Sequence, residues 1–307
     1  MSVRLNALLL AVVSLAQEPG NLLDRIRNSH LPPEQRDALA ASFSAKDYAR
    51  MEQILDGQSS QSGEVQALLG AVAFLCGHTD RAALAFRKAD AATPLGEPDR
   101  FTWAMALLNL GDARSARDQL TRLSAAHPDR PLYLYWLARI DYDQRLYEAA
   151  VVKLKRVIQL DPSSSRAYDN LGLAFDMMGE YEEARNAFLK AVELNRKLPE
   201  PSPWPPHNLG YLLLRLDLPK EAEAALRESL KYDPRLAISR YHLGRVLEAE
   251  GRDADAIPEY QSAATLDPKS PEPLYSLGIL YRRSQHLAEA DQAFAEYRKR
   301  RAASASQ

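Results

Sequence analysis

The 307-residue sequence predicts an all-α solenoid of about seven helix-turn-helix repeats, preceded by a partial N-terminal capping unit. Three observations carry this expectation. A large residue followed by a small one recurs at Leu69-Gly70, Trp103-Ala104, Leu137-Ala138, Leu171-Gly172, Leu209-Gly210, Leu243-Gly244 and Leu277-Gly278, at intervals of 34 residues with one of 38. Twelve residues beyond each pair stands an alanine: Ala82, Ala116, Ala150, Ala184, Ala222, Ala256 and Ala290. Four residues further on comes a large apolar residue each time: Phe86, Leu120, Leu154, Phe188, Leu226, Tyr260 and Phe294.

The spacing has a physical cause. Tyr168, Leu171 and Phe175 are three and four residues apart and share one face of a first helix. Gly179 ends that helix, and Tyr181, Ala184, Phe188 and Ala191 share a face of the second. Helix axes approach to about 8 Å only where the side chains between them are small, which places the glycines and alanines at the crossing. Pro94, Pro128, Pro162, Pro234 and Pro268 close their units because proline has no N–H and clashes with the preceding turn. Ser163, Ser164, Ser165 and Ser270 are then available as caps for the helices that follow.

Taken in order along the chain, residues 1–16 read as a cleaved export signal. Arg4 gives a basic start, Leu5 to Ala16 is apolar, and Ser14-Leu15-Ala16 places small residues before a polar turn at Gln17. The alternative is an ordinary first helix in a cytoplasmic protein, although Leu8, Leu9, Leu10, Val12 and Val13 leave that helix no polar face. The run is too short for a hydrocarbon core that requires about 20 helical residues. Residues 17–62 read as a capping or degenerate repeat, with one helix over Gln35 to Phe43 and another over Asp47 to Leu55.

Seven units follow over 63–304: 63–96, 97–130, 131–164, 165–198, 203–236, 237–270 and 271–304. Arg145, Asp217 and Gln285 stand at the inter-helix turn where other units have glycine, and Arg196 replaces a closing proline. The longer interval contains Pro199, Pro201, Pro203, Pro205 and Pro206, so residues 199–206 are expected to be an extended insertion or a hinge. Arg298 to Arg301 form a basic last turn that complements the helix dipole, and Ala302 to Gln307 are expected to fray.

Composition narrows the function classes. Hydrophobic content of 46% and charged content of 26% suit a folded protein, and a net charge of -2 gives nucleic acid no basic face. There is no phosphate-binding glycine loop, zinc-protease motif, calcium loop or nucleophile elbow. The six histidines never fall four apart, and Cys76 sits beside Phe74 and Leu75 as a structural thiol. Neither catalytic residues nor a cofactor nor a metal is expected.

The stretch from Asp169 to Phe175, with Gly179, Tyr181, Ala184, Phe188 and Ala191, resembles the tetratricopeptide repeat signature, and the resemblance covers about residues 63–304. It implies a right-handed superhelix whose first helices line a concave groove for a peptide or a partner's helix. Carried over unit by unit, the groove positions are Tyr135, Trp136 and Arg139; Asn170 and Leu173; His207, Asn208 and Tyr211; Tyr241, His242 and Arg245; and Tyr275 and Arg282. Asn170 and Asn208 resemble asparagines that grip a ligand's backbone, a task suited to an amide that donates and accepts. Aromatic and arginine side chains are enriched at binding hot spots. The expected function is a non-enzymatic interaction scaffold in the cell envelope, monomeric or weakly oligomeric, with a protein or peptide ligand. The alternative is a structural subunit that uses its convex face and ends.

Overall fold

The computed structural model describes residues 19–57 and 62–305. Residues 1–16 lie outside this range, and so does the export signal expected there. Seventeen α-helices occur among the described residues, and no strand.

The described residues up to Ile140 form one compact unit. It opens with α1 (Pro19–Arg27), α2 (Pro33–Ser44) and α3 (Tyr48–Asp56). Helix α2 begins with proline in its first turn, where the missing N–H costs nothing. Asp47 caps α3 by accepting from the Arg50 N–H at 3.0 Å. Helix α1 is not anticipated from the sequence. Its Leu22 and Ile26 are buried with Leu39, Met51, Leu55, Val65 and Leu68. The pairs α4 (Gly63–Leu75) with α5 (Thr79–Ala92), and α6 (Glu97–Asn109) with α7 (Ala113–Ala126), follow. A second core gathers Phe74, Phe86, Phe101, Met105, Leu120, Tyr133 and Leu137.

The described residues from Asp141 onward form the other compact unit, and α8 (Pro131–Asp143) runs through the boundary. The unit contains α9 (Tyr147–Leu160), α10 (Ser165–Met178), α11 (Tyr181–Asn195), α12 (Trp204–Arg215), α13 (Pro219–Tyr232), α14 (Ala237–Ala249), α15 (Asp253–Leu266), α16 (Glu272–Arg283) and α17 (Leu287–Ala305). Helices α10, α12, α14 and α16 each pack on the helix that follows, and α10 also adjoins α12, as α12 adjoins α14. The repeating Leu, Phe and Ala positions of the sequence are buried here, including Leu171, Phe188, Leu209, Leu226, Leu243, Tyr260 and Leu277.

Two local expectations change. The proline-rich stretch is not extended throughout, because Trp204, Pro205 and Pro206 make the first turn of α12. Proline is tolerated at those positions since their N–H groups have no intrahelical acceptor. The loop before it is clamped by Asn195, which donates to Ser202 O at 2.9 Å and accepts from the Ser202 N–H at 2.8 Å. The last turn also continues further than expected. Alanine-rich sequence keeps α17 helical to Ala305, and Arg300 donates to Ala264 O at 2.9 Å.

Candidate functional site

In the second unit the first helices α10, α12 and α14 lie side by side, so their outward positions share one surface. That surface begins acidic. Asp169 accepts from Asn208 Nδ2 at 3.0 Å across the α10–α12 contact. Asp176 accepts two bonds from Arg215 Nη1, at 2.6 and 2.8 Å, and the guanidinium also rests on the Tyr181 and Tyr211 rings at 5.2 and 5.7 Å.

Further along, the surface is aromatic. His242 stacks on Tyr211 at 4.5 Å and on His207 at 5.2 Å, while Trp204 meets His207 edge-on at 5.6 Å. Both imidazoles are buried. His207 Nδ1 bonds Ser239 Oγ at 2.8 Å, and Ser239 bonds Ser229, whose hydroxyl donates to Pro203 O at 2.8 Å. Burial lowers the pKa of His207 to about 4. The His242 value falls to about 3, first through burial and then through His207 and Arg245. Two neutral, stacked rings hold the α12–α14 contact together and do not converge on a common point.

The sequence-predicted residues therefore divide. Asn170 is buried and its Nδ2 donates to Arg166 O at 2.8 Å, one turn back in its own helix. Asn208 is spent on Asp169. The geometry turns both amides toward the protein, where the expectation had them gripping a ligand. His207 and His242 are core, while Tyr211 and Leu173 are half-buried. Tyr241 is half-buried against Tyr260 at 5.8 Å. Tyr275, half exposed, leans on Phe294 and Tyr297, and Arg282 lies over the Phe294 ring at 5.6 Å. Arg245 is exposed and makes no ion pair among the described residues, and the same holds for Arg282. Ile238 is exposed on the same helix as Arg245.

In the first unit Trp136 is buried in the core with Tyr135 edge-on at 5.7 Å, and Arg139 is half-buried. A cavity of about 650 Å³ opens between α1 and the starts of α4 and α6. Arg25 and Asp99, joined by two bonds at 2.9 and 2.7 Å, line it together with Asp24 and Glu64. Burial raises the Asp99 carboxyl pKa, and Arg25 draws it back. The sequence reading missed this feature, because nothing in the repeat pattern joins Arg25 to a residue 74 positions away.

Paired helices with a small residue at each crossing and an exposed, chemically mixed face on the first helices define a helical-repeat interaction scaffold. A family model described as tetratricopeptide repeat matches residues 101–165 and 207–271, and a second one matches 165–198. Together they cover just over half of the chain, which belongs to the tetratricopeptide repeat family.

Over 232 residues it is 23% identical to anaphase-promoting complex subunit 3 of Schizosaccharomyces pombe, covering 76% of this chain. The chain spans about a third (34%) of that relative's length. A tetratricopeptide repeat protein from Parabacteroides merdae superposes with a TM-score of 0.62 at 14% identity, covering 84% of this chain and 97% of that one. YrrB, described as a TPR protein with an unusual peptide-binding site, gives 0.50 at 20% identity, covering 59% and 91%. At these identities the structural likeness concerns the fold.

Proposed function

We propose that the first-helix face of residues 165–283 holds an extended or helical segment of another polypeptide, and that the segment is acidic. The observation that carries this reading is the pair Arg245 and Arg282. Both guanidiniums lack an ion-pair partner among the described residues, while Arg215 on α12 is matched to Asp176 and Arg283 on α16 to Glu248 and Asp253. An unpaired arginine presents a planar donor fork suited to a carboxylate. Exposed Ile238 and Tyr275, seven residues before Arg245 and Arg282 on the same helices, offer apolar contact. The peptide-binding site described for YrrB accords with this use of the fold. We further propose that the chain works in the cell envelope after removal of residues 1–16, on the strength of the leader-like sequence alone.

The test is capture of partners from envelope extract with residues 17–307, in parallel with Arg245→Glu/Arg282→Glu checked by circular dichroism to be folded. Loss of a partner from the double variant supports the face as the site. A partner retained equally by both overturns it. A second reading, a structural subunit docking through its second helices, is favoured by the exposure of Val152 (69%) on α9 and Leu189 (47%) on α11. The relative named as a complex subunit points the same way. Val152→Glu/Leu189→Glu discriminates the two readings in the same capture.

A further inference from the structure

We propose that Glu52, Cys76 and His78 form a zinc(II) site that staples the N-terminal helices to the first repeat. One ligand atom from each of the three, a carboxylate oxygen, a thiol sulfur and an imidazole nitrogen, lies within 4.8 Å of both others. Zinc ligands stand about 2.0–2.3 Å from the metal, which for a tetrahedron means about 3.3–3.7 Å between them. Small side-chain rotations bring the observed trio to that geometry.

The backbone already fixes two of the ligands. Cys76 closes α4 and His78 opens α5, with Gly77 between them at φ +81°. The turn is tied by Cys76 N to Val72 O at 3.0 Å, Gly77 N to Phe74 O at 3.0 Å and His78 N to Ala73 O at 2.9 Å. In the next repeat the residue equivalent to His78 is Asp112, which caps its helix by accepting from Ser115 N. His78 makes no cap bond, and its Nδ1 reaches Glu52 Oε2 at 2.8 Å. The third ligand comes from α3 and is almost wholly buried, with 5% of its side chain exposed.

Donor chemistry and charge select the ion. A sulfur, a nitrogen and an oxygen suit zinc, whereas calcium and magnesium require oxygen ligands throughout. Glu52 and Asp56 face a single cation, Arg81, so these three sum to one negative charge. Zinc binding places two positive charges there and releases the Cys76 S–H proton to buffer, bringing the sum to zero. Arg81 Nη1 lies 3.0 Å from Glu52 Oε1, yet that oxygen has no aligned hydrogen bond, so the contact is ionic and leaves a lone pair for the metal. The His78 side chain is 56% exposed, which gives an entry path and a fourth position for water.

The experiment uses the full chain stripped with a chelator and titrated with zinc or cobalt(II) chloride. The expected result is one metal per chain, a thiolate-to-cobalt charge-transfer band, about one proton released per zinc, and a raised thermal midpoint with zinc. Cys76→Ser and His78→Ala, each verified as folded, should bind at least about tenfold more weakly, and Cys76→Ser should lack the band. Absence of the band from the parent protein, or equal zinc affinity in the parent and both variants, overturns the proposal. His78→Ala, at an exposed position, decides the matter should Cys76→Ser fail to fold.

Discussion

The ring of Phe188 fills the space a side chain on Gly172 would need: an ideal Cβ there would stand 2.6 Å from the ring's Cδ1 and Cε1. The relationship recurs between Gly70 and Phe86, Gly244 and Tyr260, and Gly278 and Phe294, at 2.6 to 2.8 Å. Where the chain has alanine at this position, in Ala104 and Ala138, the residue 16 positions on is the smaller Leu120 or Leu154. A Cβ on Gly210 would meet Leu226 at 2.7 Å, so leucine stands opposite glycine as well as alanine, whereas every aromatic partner stands opposite a glycine.

Gly172→Ala should destabilise the protein by about 1–3 kcal/mol, the usual range for overpacking a close-packed core. Adding Phe188→Leu should recover part of that loss by reproducing the alanine–leucine pairs present elsewhere in the chain. Urea unfolding of the two single variants and the double one gives the coupling. Strict additivity would mean that the two positions do not share the space the structure assigns them.

Acid should weaken the second unit through His207 and His242. An unfolded imidazole takes up a proton near pH 6.5, whereas burial holds His207 neutral to about 4 and His242 to about 3. Between these values the unfolded chain binds more protons than the folded one. Stability is therefore complete above about pH 6.5 and falls as pH drops toward the folded values, by about 3 kcal/mol for His207 alone. Urea unfolding at about pH 7 and about pH 4.5 measures it. His242→Phe keeps a ring against Tyr211 and should show a shallower loss; an unchanged slope would exonerate His242.

Arg145, Asp217 and Gln285 have φ of 63°, 57° and 63°, the conformation that Gly77, Gly111, Gly179 and Gly251 adopt in the other turns. A side chain in this left-handed region costs roughly 1–2 kcal/mol, and the extra freedom of an unfolded glycine offsets part of that. Replacing each by glycine should raise stability by about 0.5–1 kcal/mol. Thermal unfolding of the three single variants tests this, and a lowered midpoint in all three would count against it.

The Arg25–Asp99 pair should control α1. Asp99 is 91% buried by residue area, with 9% exposed, and both its oxygens accept from Arg25. Asp99→Asn removes the charge and one acceptor, which should cost about 1–3 kcal/mol in the local stability of residues 19–27. Amide hydrogen exchange should speed up there and stay constant in α10 to α17. Uniform acceleration across the chain would show that α1 is no separate latch.

The repeat, the helix pairs and the left-handed turns were legible in the sequence because they depend on local geometry. A period of 34 residues, a small residue at each crossing and a glycine after four of the seven first helices reflect constraints acting within one unit. Seven copies make those constraints visible. Helix α1 escaped notice because its burial depends on Leu39, Met51 and Val65, which no local pattern links to it.

Side-chain commitments belonged to the tertiary structure alone. Asn170 and Asn208 occupy positions that a ligand-gripping amide would have, yet one bonds its own helix and the other Asp169, 39 residues away. Arg215 and Arg245 look alike as arginines on first helices, and only the packed structure shows that the first has Asp176 and the second has no ion-pair partner among the described residues. The thiol of Cys76 was legible, but not Glu52 brought beside it from α3. Periodicity records what a repeat requires of every copy, whereas hydrogen bonds and ion pairs between copies depend on which side chains folding brings within about 3 Å, a distance that spacing along the chain does not encode.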